Sequence, residues 1–357
     1  MFKKLFGKGD KVKVPKGFHS IEILSIDKLT ADTVKVELDI PASLKPLFSY
    51  TPGQYLNFAI VIDGDEERRS YSICSGPNQP LAVAVKQVEN GKVSTWLNTI
   101  AEVGNPLYIA TPEGNFTRPK EAKDIVGIAA GSGITPLMAI AKATENSERS
   151  MQLFYGSKTE EEIIFKSDLD GLTKTKTNYF LSQETKDGFG KGRINKDAFS
   201  EIIKGDLSLL KSDGFFVCGP EGLIADVLAV LETFGVDASK IHYELFTAPV
   251  LLKGIEDSQK TDYSGASAVT VILDDEEINF ELASDGPSLL DKVNKEGYDA
   301  PYSCKGGVCA TCKARVIEGK VNMSINYSLT DSDVEEGYIL TCQAHPASEK
   351  LKVTYDD

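Results

Sequence analysis

The chain has 357 residues, an apolar fraction of 41% and a formal net charge of −14. At about 150 residues per domain, this length predicts two or three domains. The acidic balance argues against a nucleic-acid partner, because phosphate binding needs a basic face. No apolar run approaches the ~18 residues of a membrane span, and the basic start lacks the apolar stretch of a secretory signal. We therefore expect a cytoplasmic protein with no membrane span, in a reducing compartment where stable disulfides are rare.

The first part of the chain is predicted to be rich in β-structure. After a basic tail at residues 1–15, residues 16–118 show short apolar runs, among them "TVKVELDI" and "QYLNFAIVI", separated by turn residues. Strands this short and this frequent are typical of an antiparallel barrel or sandwich.

Residues 119–247 alternate apolar strands with helical patterns. "DIVGIAA" precedes "TPLMAIAKATE", and "GFFVCGP" precedes "EGLIADVLAVLETFG". This is the βαβ pattern of an α/β domain with a parallel sheet. Thr159 to Glu162 also has the T-x-x-E pattern of a capping box, which predicts a helix start.

The last part of the chain is predicted to be a small, acidic, β-rich domain. Residues 248–266 have no clear period and are interpreted as a linker. Residues 267–357 contain strand patterns, one helical pattern and a loop rich in cysteine. From residue 266 onward, 17 acidic residues outnumber 8 basic ones. Such a surface either steers the domain toward a basic patch on a protein partner or serves only solubility.

Half of the six cysteines lie in "CKGGVCATC", as Cys304, Cys309 and Cys312, and 29 residues separate Cys342 from the last of them. A zinc ribbon normally has two C-x2-C pairs or histidine partners, and here one C-x2-C is without a second pair. C-x4-C-x2-C with a distal cysteine is the plant-type [2Fe–2S] spacing. A two-iron cluster needs four thiolates, so the spacing favours a cluster over zinc.

The cysteine loop and its distal cysteine resemble those of plant-type ferredoxin domains, whose loop reads C-x-x-G-x-C-x-x-C. The match covers the last quarter of the chain and implies a β-grasp-like ferredoxin domain. It implies that Cys304 and Cys309 hold one iron and that Cys312 and Cys342 hold the other.

The segment "RRSYSICS" places Arg69, Tyr71 and Ser72 at R-x-Y-S spacing. On a strand, residues 69 and 71 point to one face, and residues 70 and 72 point to the other. A guanidinium beside an aromatic ring can bind a phosphate while the ring stacks on a flat heterocycle. By itself the pattern also fits an ordinary strand with an exposed arginine.

Together with "PGQY" and "PEGNF", the R-x-Y-S segment resembles the flavin barrel of the ferredoxin–NADP reductase superfamily. The resemblance implies that Arg69 binds the flavin pyrophosphate, that Tyr71 packs on the isoalloxazine and that Ser72 approaches its N5. It favours FAD, although related enzymes use FMN. It also implies that Ser70 binds the cofactor. The segment "VKQVENGKVSTWL" resembles the family segment that continues along the FAD, which implies Lys86, Gly91 and Ser94 as further cofactor-binding residues.

The segment "AAGSGITP" lies between an apolar strand and a helical pattern. Gly131 and Gly133, with Ser132 between them, let the backbone approach a phosphate. Thr135 is predicted to be the N-cap and Pro136 the first helical residue, so that the helix N-terminus faces a pyrophosphate. The third glycine of the ordinary dinucleotide fingerprint is absent.

Two further segments resemble the pyridine-nucleotide domain of the same superfamily. "VCGP" implies that Cys218 lies near the nicotinamide and that Gly219 and Pro220 bind the nucleotide. A buried strand thiol is the alternative for Cys218. "HYELF" matches the family's E-x-F ending, which implies that Phe246 lies near the flavin.

The choice of nucleotide depends on the residues near the adenosine 2′-position. "LSQET" resembles the stretch that holds the 2′-phosphate in NADPH-dependent relatives, with Ser182 and Gln183 in place of their Ser-Arg. Glutamine lacks the charge-assisted bidentate contact of arginine, although Lys158, Lys186 or Arg193 can compensate. We expect NADPH, with NADH as the alternative.

A nicotinamide gives two electrons as a hydride and a [2Fe–2S] cluster accepts one at a time, so a flavin must stand between them. We expect hydride transfer to flavin N5, with Tyr71, Ser72 and Cys218 as catalytic residues, then one-electron steps to the cluster and an external acceptor. The module order is similar to that of the phenylacetyl-CoA epoxidase reductase subunits, and phthalate-type dioxygenase reductases share it. The resemblance implies an oxygenase component or another protein acceptor as partner. A stand-alone ferredoxin or cytochrome reductase and a non-enzymatic iron–sulfur redox sensor are the alternatives.

Overall fold

The computed structural model describes residues 14–145, 147–247 and 262–356. They form two compact units, one from the described residues of 18–245 and one that includes the described residues of 246–356. The predicted basic tail lies almost entirely outside the described residues, and so does most of the predicted linker at 248–266.

The first half of the first unit is an antiparallel β-barrel, as predicted. Its strands follow the order β4-β3-β6-β1-β2-β5. A bridge between Ile73 and Val83 joins the two edges, and the Cys74 N–H donates to the Ala82 carbonyl at 2.9 Å. The elements are β1 (Phe18–Thr30), β2 (Thr33–Asp39), β3 (Tyr55–Ile62), β4 (Asp65–Ser72), β5 (Ala82–Lys86), α1 (Lys92–Thr99) and β6 (Pro106–Ala110).

Alternating side chains form the barrel core because successive residues of a strand point to opposite faces. Ile21, Val36, Phe58 and Leu107 are at most 1% exposed. Helix α1 adds Leu97 to the same core. The sequence analysis did not predict α1, whose segment was interpreted only as part of the flavin site.

The second half of the first unit is a parallel α/β domain, as predicted, with strand order β10-β9-β8-β7-β11-β12. The strand order reverses between β7 and β11, and ligands of such sheets bind at the carboxyl ends of the strands there. The elements are β7 (Asp124–Ala130), α2 (Ile134–Glu145), β8 (Ser150–Ser157), α3 (Lys166–Asp170), β9 (Thr175–Leu181), β10 (Gly190–Lys191), α4 (Lys196–Gly205), β11 (Gly214–Cys218), α5 (Glu221–Thr233) and β12 (Ile241–Glu244).

The predicted capping box at Thr159 to Glu162 is wrong. These residues form turns, and the next helix, α3, begins at Lys166. The Glu160 N–H donates to the Glu184 carboxylate at 2.8 Å, and the Ile163 N–H donates to the Glu160 carbonyl at 3.0 Å. A contact from a distant segment therefore satisfies a backbone donor that the predicted helix start would have left free.

The second unit combines a mixed sheet of order β14-β13-β19-β15-β17 with the antiparallel pair β16-β18. Leu290, Val293 and Leu340 are fully buried in its core. A capping box between Thr330 and Asp333 begins α7, a helix that the sequence analysis missed. The elements are β13 (Ala266–Leu273), β14 (Glu276–Ala283), α6 (Leu289–Lys295), β15 (Lys313–Glu318), β16 (Val321–Met323), α7 (Asp331–Glu335), β17 (Tyr338–Leu340), β18 (Ala344–Pro346) and β19 (Lys350–Thr354).

None of the helices in the described residues combines the length and the apolar character that crossing a membrane requires.

Candidate functional site

Strand β4 carries the R-x-Y-S residues with the alternation predicted from the sequence. Arg69 and Tyr71 lie opposite Phe58 and Leu56 of β3, and the Tyr71 ring meets the Phe58 ring edge to face at a centroid distance of 5.3 Å. Burial raises the pKa of the Tyr71 hydroxyl above its usual value. The Arg69 side chain is 50% exposed and forms an ion pair with Glu67 at 3.3 Å. The strand therefore presents a neutral phenol beside an accessible guanidinium, which fits a flavin and its phosphates.

The other face of β4 is tied to the "PEGNF" loop by a polar chain. The Ser70 hydroxyl donates to Asn57 Oδ1 at 2.7 Å, and Asn57 Nδ2 donates to the Glu113 carboxylate at 3.0 Å. Asn57 is fully buried. The sequence analysis missed Asn57 and Glu113, although "PEGNF" itself was recognised. Through them, the two flavin motifs keep a fixed relative position.

The "GKVSTWL" segment is the turn into helix α1. The Ser94 hydroxyl accepts from the Val88 N–H and donates to the Gly91 carbonyl, both at 3.2 Å. Ser94 therefore shapes the loop in which Gly91 precedes the helix. Lys86 forms ion pairs with Asp32 at 3.2 Å and with Glu162 at 3.5 Å. A phosphate role for Lys86 would compete with these two carboxylates.

The glycine loop after β7 packs directly on the turn after β11. A Cβ atom built on Gly133 would lie 2.1 Å from the Cys218 carbonyl oxygen. Gly131 to Gly133 form a 3₁₀ turn that runs straight into α2. The loop thus brings backbone N–H groups to the carboxyl ends of β7 and β11, where a nucleotide pyrophosphate fits.

The predicted positions of Thr135 as N-cap and Pro136 as first residue of α2 are wrong. The helix begins at Ile134, so Thr135 and Pro136 are its second and third residues. The Thr135 hydroxyl donates to the Ser132 carbonyl at 3.0 Å and does not cap the helix. The 3₁₀ turn of Gly131 to Gly133 leads directly into α2 and takes the place that a capping residue would occupy. Pro136 remains within the first turn, where its missing N–H costs no helical bond.

Tyr155 is a further residue that the sequence analysis missed. Its side chain is fully buried, and its hydroxyl donates to the Gly131 carbonyl at 3.0 Å. The same hydroxyl accepts from the Ile164 N–H at 3.3 Å. Tyr155 therefore holds the glycine loop against the segment after β8.

The residues near the predicted adenosine site lie where β8 and β9 end. The Ser182 N–H donates to the Ser157 carbonyl at 3.0 Å, and the Gln183 N–H donates to the Lys158 carbonyl at 2.9 Å. Lys158 forms an ion pair with Glu162 at 3.5 Å. Lys186 is likewise paired with Glu160. Both lysines proposed to compensate for Gln183 thus already have a carboxylate partner.

Flavin and nucleotide residues meet at Glu244, the last residue of β12. The Ser72 hydroxyl donates to the Glu244 carboxyl at 3.2 Å, and Cys218 lies beside Glu244 in the β11–β12 register. Desolvation of the carboxyl raises the pKa of Glu244 to about 8. Burial, and then the nearby Glu244 charge, raise the pKa of Cys218, so Cys218 stays a neutral thiol.

Three other predicted residues lie near this meeting point in the sequence. Gly219 follows Cys218 and packs near Ala130, and Pro220 is the N-cap residue of α5. Phe246 follows Glu244 by two residues, is 42% exposed and belongs to the second unit. The sequence analysis quoted Glu244 within "HYELF" without assigning it a role, and its chemistry became visible only from its contacts.

Glu244→Gln is expected to flatten the pH dependence of stability. A carboxyl with a pKa raised from 4.5 to about 8 holds its proton more tightly in the folded than in the unfolded chain. Its contribution to the free energy of unfolding is therefore greatest below pH 4.5 and falls by up to about 1.4 kcal/mol per pH unit until pH 8. Glutamine does not titrate. In urea unfolding, the free energy of unfolding of the variant should therefore fall less between pH 4.5 and about pH 8 than that of the parent chain.

Glu22→Gln on the barrel surface is the control, since Glu22 is an exposed residue of β1. It should not change the slope of stability against pH. An equal slope in the parent and in Glu244→Gln would show that the Glu244 carboxyl is ionised throughout this range.

The four predicted cluster cysteines lie in the second unit as two pairs. The Cys304 N–H donates to Cys309 Sγ at 3.4 Å, and the Gly306 N–H donates to Cys304 Sγ at 3.3 Å. A hydrogen bond from the Cys309 thiol lowers the pKa of Cys304 to about 6. A hydrogen bond from Cys312 likewise lowers the pKa of Cys342. Two thiol pairs fit a two-iron cluster, which takes four cysteine ligands.

A compact backbone holds this loop in place. Gly307 has a φ of +73° and leaves 3.1 Å between a built Cβ and the Ile325 carbonyl oxygen. The Tyr327 N–H donates to the Gly307 carbonyl at 3.1 Å. Thr341, the neighbour of the predicted distal ligand Cys342, is tied to the loop, because its hydroxyl donates to the Cys312 carbonyl at 2.9 Å. The sequence analysis missed Thr341. Within the described residues, no group of three or more His, Cys, Asp or Glu side chains is arranged so that it could hold a metal ion.

The fold and the site together define an NAD(P)H-dependent flavin iron–sulfur oxidoreductase. Three family models match the chain in sequence. They are the oxidoreductase FAD-binding domain at residues 20–117, the oxidoreductase NAD-binding domain at residues 128–228 and the 2Fe-2S iron-sulfur cluster binding domain at residues 271–347.

Curated relatives match over almost the whole chain. One component of the 1,2-phenylacetyl-CoA epoxidase of Escherichia coli (strain K12) is 34% identical over 353 residues, which cover 95% of this chain and 98% of the relative. The 3-ketosteroid-9-alpha-monooxygenase, ferredoxin reductase component, of Rhodococcus rhodochrous is 31% identical, and the match covers 96% of this chain and 99% of the relative. The chain belongs to this family of oxygenase reductases, which unite FAD-binding, NAD-binding and 2Fe–2S domains.

Solved structures share the fold at lower identity. Phthalate dioxygenase reductase matches with a TM-score of 0.59 and 23% identity, covering 95% of this chain and 98% of its own. An intact type IV self-sufficient cytochrome P450 monooxygenase matches with a TM-score of 0.74 and 20% identity, covering 97% of this chain and 43% of its own. At these identities the likeness concerns the fold alone.

Proposed function

We propose that this chain takes electrons from NAD(P)H and delivers them, through FAD and a 2Fe–2S cluster, to an oxygenase component of the phenylacetyl-CoA epoxidase type. The hydrogen bond between Ser72 and Glu244, beside Cys218, is the observation that carries the first step. It joins the last residue of the flavin strand to the carboxyl ends of the nucleotide strands. Hydride transfer needs this direct approach of the two sites.

FAD would supply the exchange between two-electron hydride chemistry and one-electron transfer. Arg69 would hold its pyrophosphate, Tyr71 would pack on its ring system and Ser72 would approach the N5 position. Glu244 carries a proton on its carboxyl at neutral pH, since its pKa is raised to about 8. The carboxyl therefore adds no negative charge where a hydride is to pass.

The second unit serves as the electron exit in this proposal. Cys304 and Cys309 would hold one iron of the cluster, and Cys312 and Cys342 would hold the other. The domains extend over residues 16–118, 119–247 and 267–357, and the protein acts in the cytoplasm. The oxygenase partner is inferred from the relatives, which are components of a phenylacetyl-CoA epoxidase and of a 3-ketosteroid monooxygenase.

An anaerobic titration tests this function. NADPH or NADH is expected to bleach the flavin absorbance and then to produce the EPR signal of a reduced 2Fe–2S cluster. A phenylacetyl-CoA epoxidase oxygenase component should then turn over with this protein as its reductase. Flavin bleaching without a cluster signal would contradict the internal electron path, and no change in either group would favour a redox sensor. Turnover of a cytochrome but of no oxygenase would favour a stand-alone reductase.

NADPH is the proposed donor, with NADH as the alternative, and Gln183→Arg tests the site that this choice rests on. Arginine can form a bidentate, charge-assisted contact with the 2′-phosphate that glutamine cannot form. The variant should lower the KM for NADPH by about tenfold and leave the KM for NADH almost unchanged. NADH, which lacks the 2′-phosphate, is the internal control in steady-state ferricyanide assays. Equal changes for both nucleotides would place the 2′-phosphate elsewhere.

A further inference from the structure

Three aromatic rings connect the flavin half of the first unit to its parallel sheet, apart from the hydrogen bond between Ser72 and Glu244. The ring of Phe116 meets the ring of Phe216 in β11 edge to face, with centroids 5.5 Å apart and planes at 73°. Phe216 in turn stacks on His242 in β12, with centroids 4.6 Å apart and planes at 21°. We call Phe116, Phe216 and His242 the aromatic row.

Backbone contacts hold the barrel end of the row. Phe116 follows Glu113 by three residues, and Glu113 exchanges two backbone hydrogen bonds with Tyr55, at 2.8 and 3.0 Å. Tyr55 lies opposite Ser72 in the β3–β4 register. A Cβ atom built on Gly53 would lie 1.9 Å from the Phe116 carbonyl oxygen, so the two backbones are in close contact. Phe116 is therefore fixed to the strand that carries Ser72.

The sheet end of the row lies next to the proposed reaction site. Phe216 and His242 are partners in the β11–β12 register, and Cys218 and Glu244 are the next pair on the same face, two residues further along each strand. Phe216 is fully buried, and Phe116 is 5% exposed. Burial lowers the pKa of His242, so its imidazole is uncharged at neutral pH and stacks as a neutral ring.

Two separate contacts fix an orientation that a single contact leaves free. The hydrogen bond between Ser72 and Glu244 is one point of attachment, about which the flavin strand can rotate relative to β11 and β12. The aromatic row is a second point, and close-packed rings resist sliding. Hydride transfer is sensitive to such a rotation, because a displacement of about 1 Å at the reacting atoms costs about a hundredfold in rate.

We propose that Phe116 and His242 are positioning residues for hydride transfer, and that through Phe216 they hold the flavin strand and the ends of β11 and β12 in one orientation. The inference rests on the proposed function, in which flavin and nicotinamide react beside Cys218 and Glu244. Neither positioning residue touches the reacting atoms or moves a proton. The requirement at position 242 is therefore for a flat ring and not for an imidazole.

Two measurements on the FAD-loaded full chain test this inference. Stopped-flow absorbance gives the rate of flavin reduction at saturating NADPH or NADH, and calorimetry on the oxidised protein gives the Kd for NADP⁺ and NAD⁺. His242→Ala and Phe116→Leu should each lower the rate by about tenfold or more and leave both Kd values within about twofold. His242→Phe keeps a ring at this position and should restore the rate to within about twofold of the parent chain.

The double variant with both His242→Ala and Phe116→Leu tests whether the row acts as a unit. Each change breaks the same row, so the double variant should be within about twofold of the slower single variant, whereas independent effects would multiply to about a hundredfold. Phe199→Leu is the matched control, because Phe199 is a fully buried ring of α4 outside the row. Its rate should stay within about twofold of the parent rate.

The outcomes separate this inference from the proposed function. If neither NADPH nor NADH reduces the flavin of the parent chain, the proposed function fails. If the parent flavin is reduced and His242→Ala and Phe116→Leu react at the parent rate, the function stands and the inference is overturned. If Phe116→Leu does not bind FAD, the comparison of His242→Ala with His242→Phe decides.

Four further results would also overturn the inference. They are a rate in His242→Phe as low as in His242→Ala, an equal loss of rate in Phe199→Leu, multiplied losses in the double variant, and a Kd for the oxidised nucleotides that rises as much as the rate falls. The first would assign the effect to the imidazole, the second to general loosening of the core and the third to two unconnected sites. The fourth would mean that the row only shapes the nucleotide site.

Discussion

Replacing Cys312 by serine is expected to abolish reduction of cytochrome c through the 2Fe–2S cluster while NAD(P)H-dependent ferricyanide reduction by the flavin continues. Cys312 is 3% exposed and lies beside Cys342. The thiolate is the iron ligand, and a serine hydroxyl does not ionise comparably at neutral pH. Iron content, the EPR signal of the reduced cluster and cytochrome c reduction should each fall by at least about tenfold.

Cys74→Ser is the matched control for this change. Cys74 is a fully buried thiol of the flavin barrel, whose Sγ lies 3.4 Å from the Ala82 carbonyl oxygen. It undergoes the same chemical replacement far from the cysteine loop in sequence. Both activities should survive in Cys74→Ser. Loss of ferricyanide reduction in Cys312→Ser would contradict the separation of the flavin and cluster functions between two units.

Gly133→Ala is expected to slow flavin reduction by NAD(P)H by about a hundredfold or more, as displacements of about 1 Å at reacting groups do. The added Cβ would lie 2.1 Å from the Cys218 carbonyl oxygen and 2.6 Å from the Gly219 nitrogen. Both atoms belong to the backbone, so the glycine loop and the Cys218 turn must move apart. Stopped-flow absorbance measures this rate, and chemical reduction of the flavin by dithionite should remain unchanged.

Gly222→Ala provides the control at a nearby glycine. Gly222 lies in the first turn of α5, and a Cβ there would meet no atom within 4 Å. This variant should keep the rate of flavin reduction and gain a few tenths of a kcal/mol in stability, because alanine favours a helix over glycine. A normal rate in Gly133→Ala would show that the nucleotide does not depend on the contact between the two turns.

The division into flavin, nucleotide and ferredoxin modules follows from short, contiguous patterns. The β-runs before residue 118 and the βαβ alternation after it predict the two architectures, because strand and helix periodicity are local properties. The cysteine spacing predicts a cluster for the same reason, since three of the four predicted ligands lie within nine residues. Family resemblance added the role of each motif, which spacing alone could not assign.

Local patterns failed where a distant segment supplied the partner. The T-x-x-E pattern at Thr159 predicted a helix start, yet the Glu184 carboxylate takes the Glu160 N–H. Thr135 was predicted to cap α2, yet the helix follows a 3₁₀ turn and begins at Ile134, two residues before the predicted first residue, Pro136. Competition between local and tertiary hydrogen bonds decides such positions, and a single sequence does not show its outcome.

The amino-acid sequence alone was sufficient for the kinds of domain and their order, because these depend on local periodicity and on residue types at close spacing, whereas the role of each motif came from family resemblance. The folded chain was needed to bring Ser72 to Glu244, which is 172 residues away. The packing of β4 against the end of β12 creates this contact. The pKa of Glu244 is a property of that packing, because desolvation and Coulomb energies depend on distances in space.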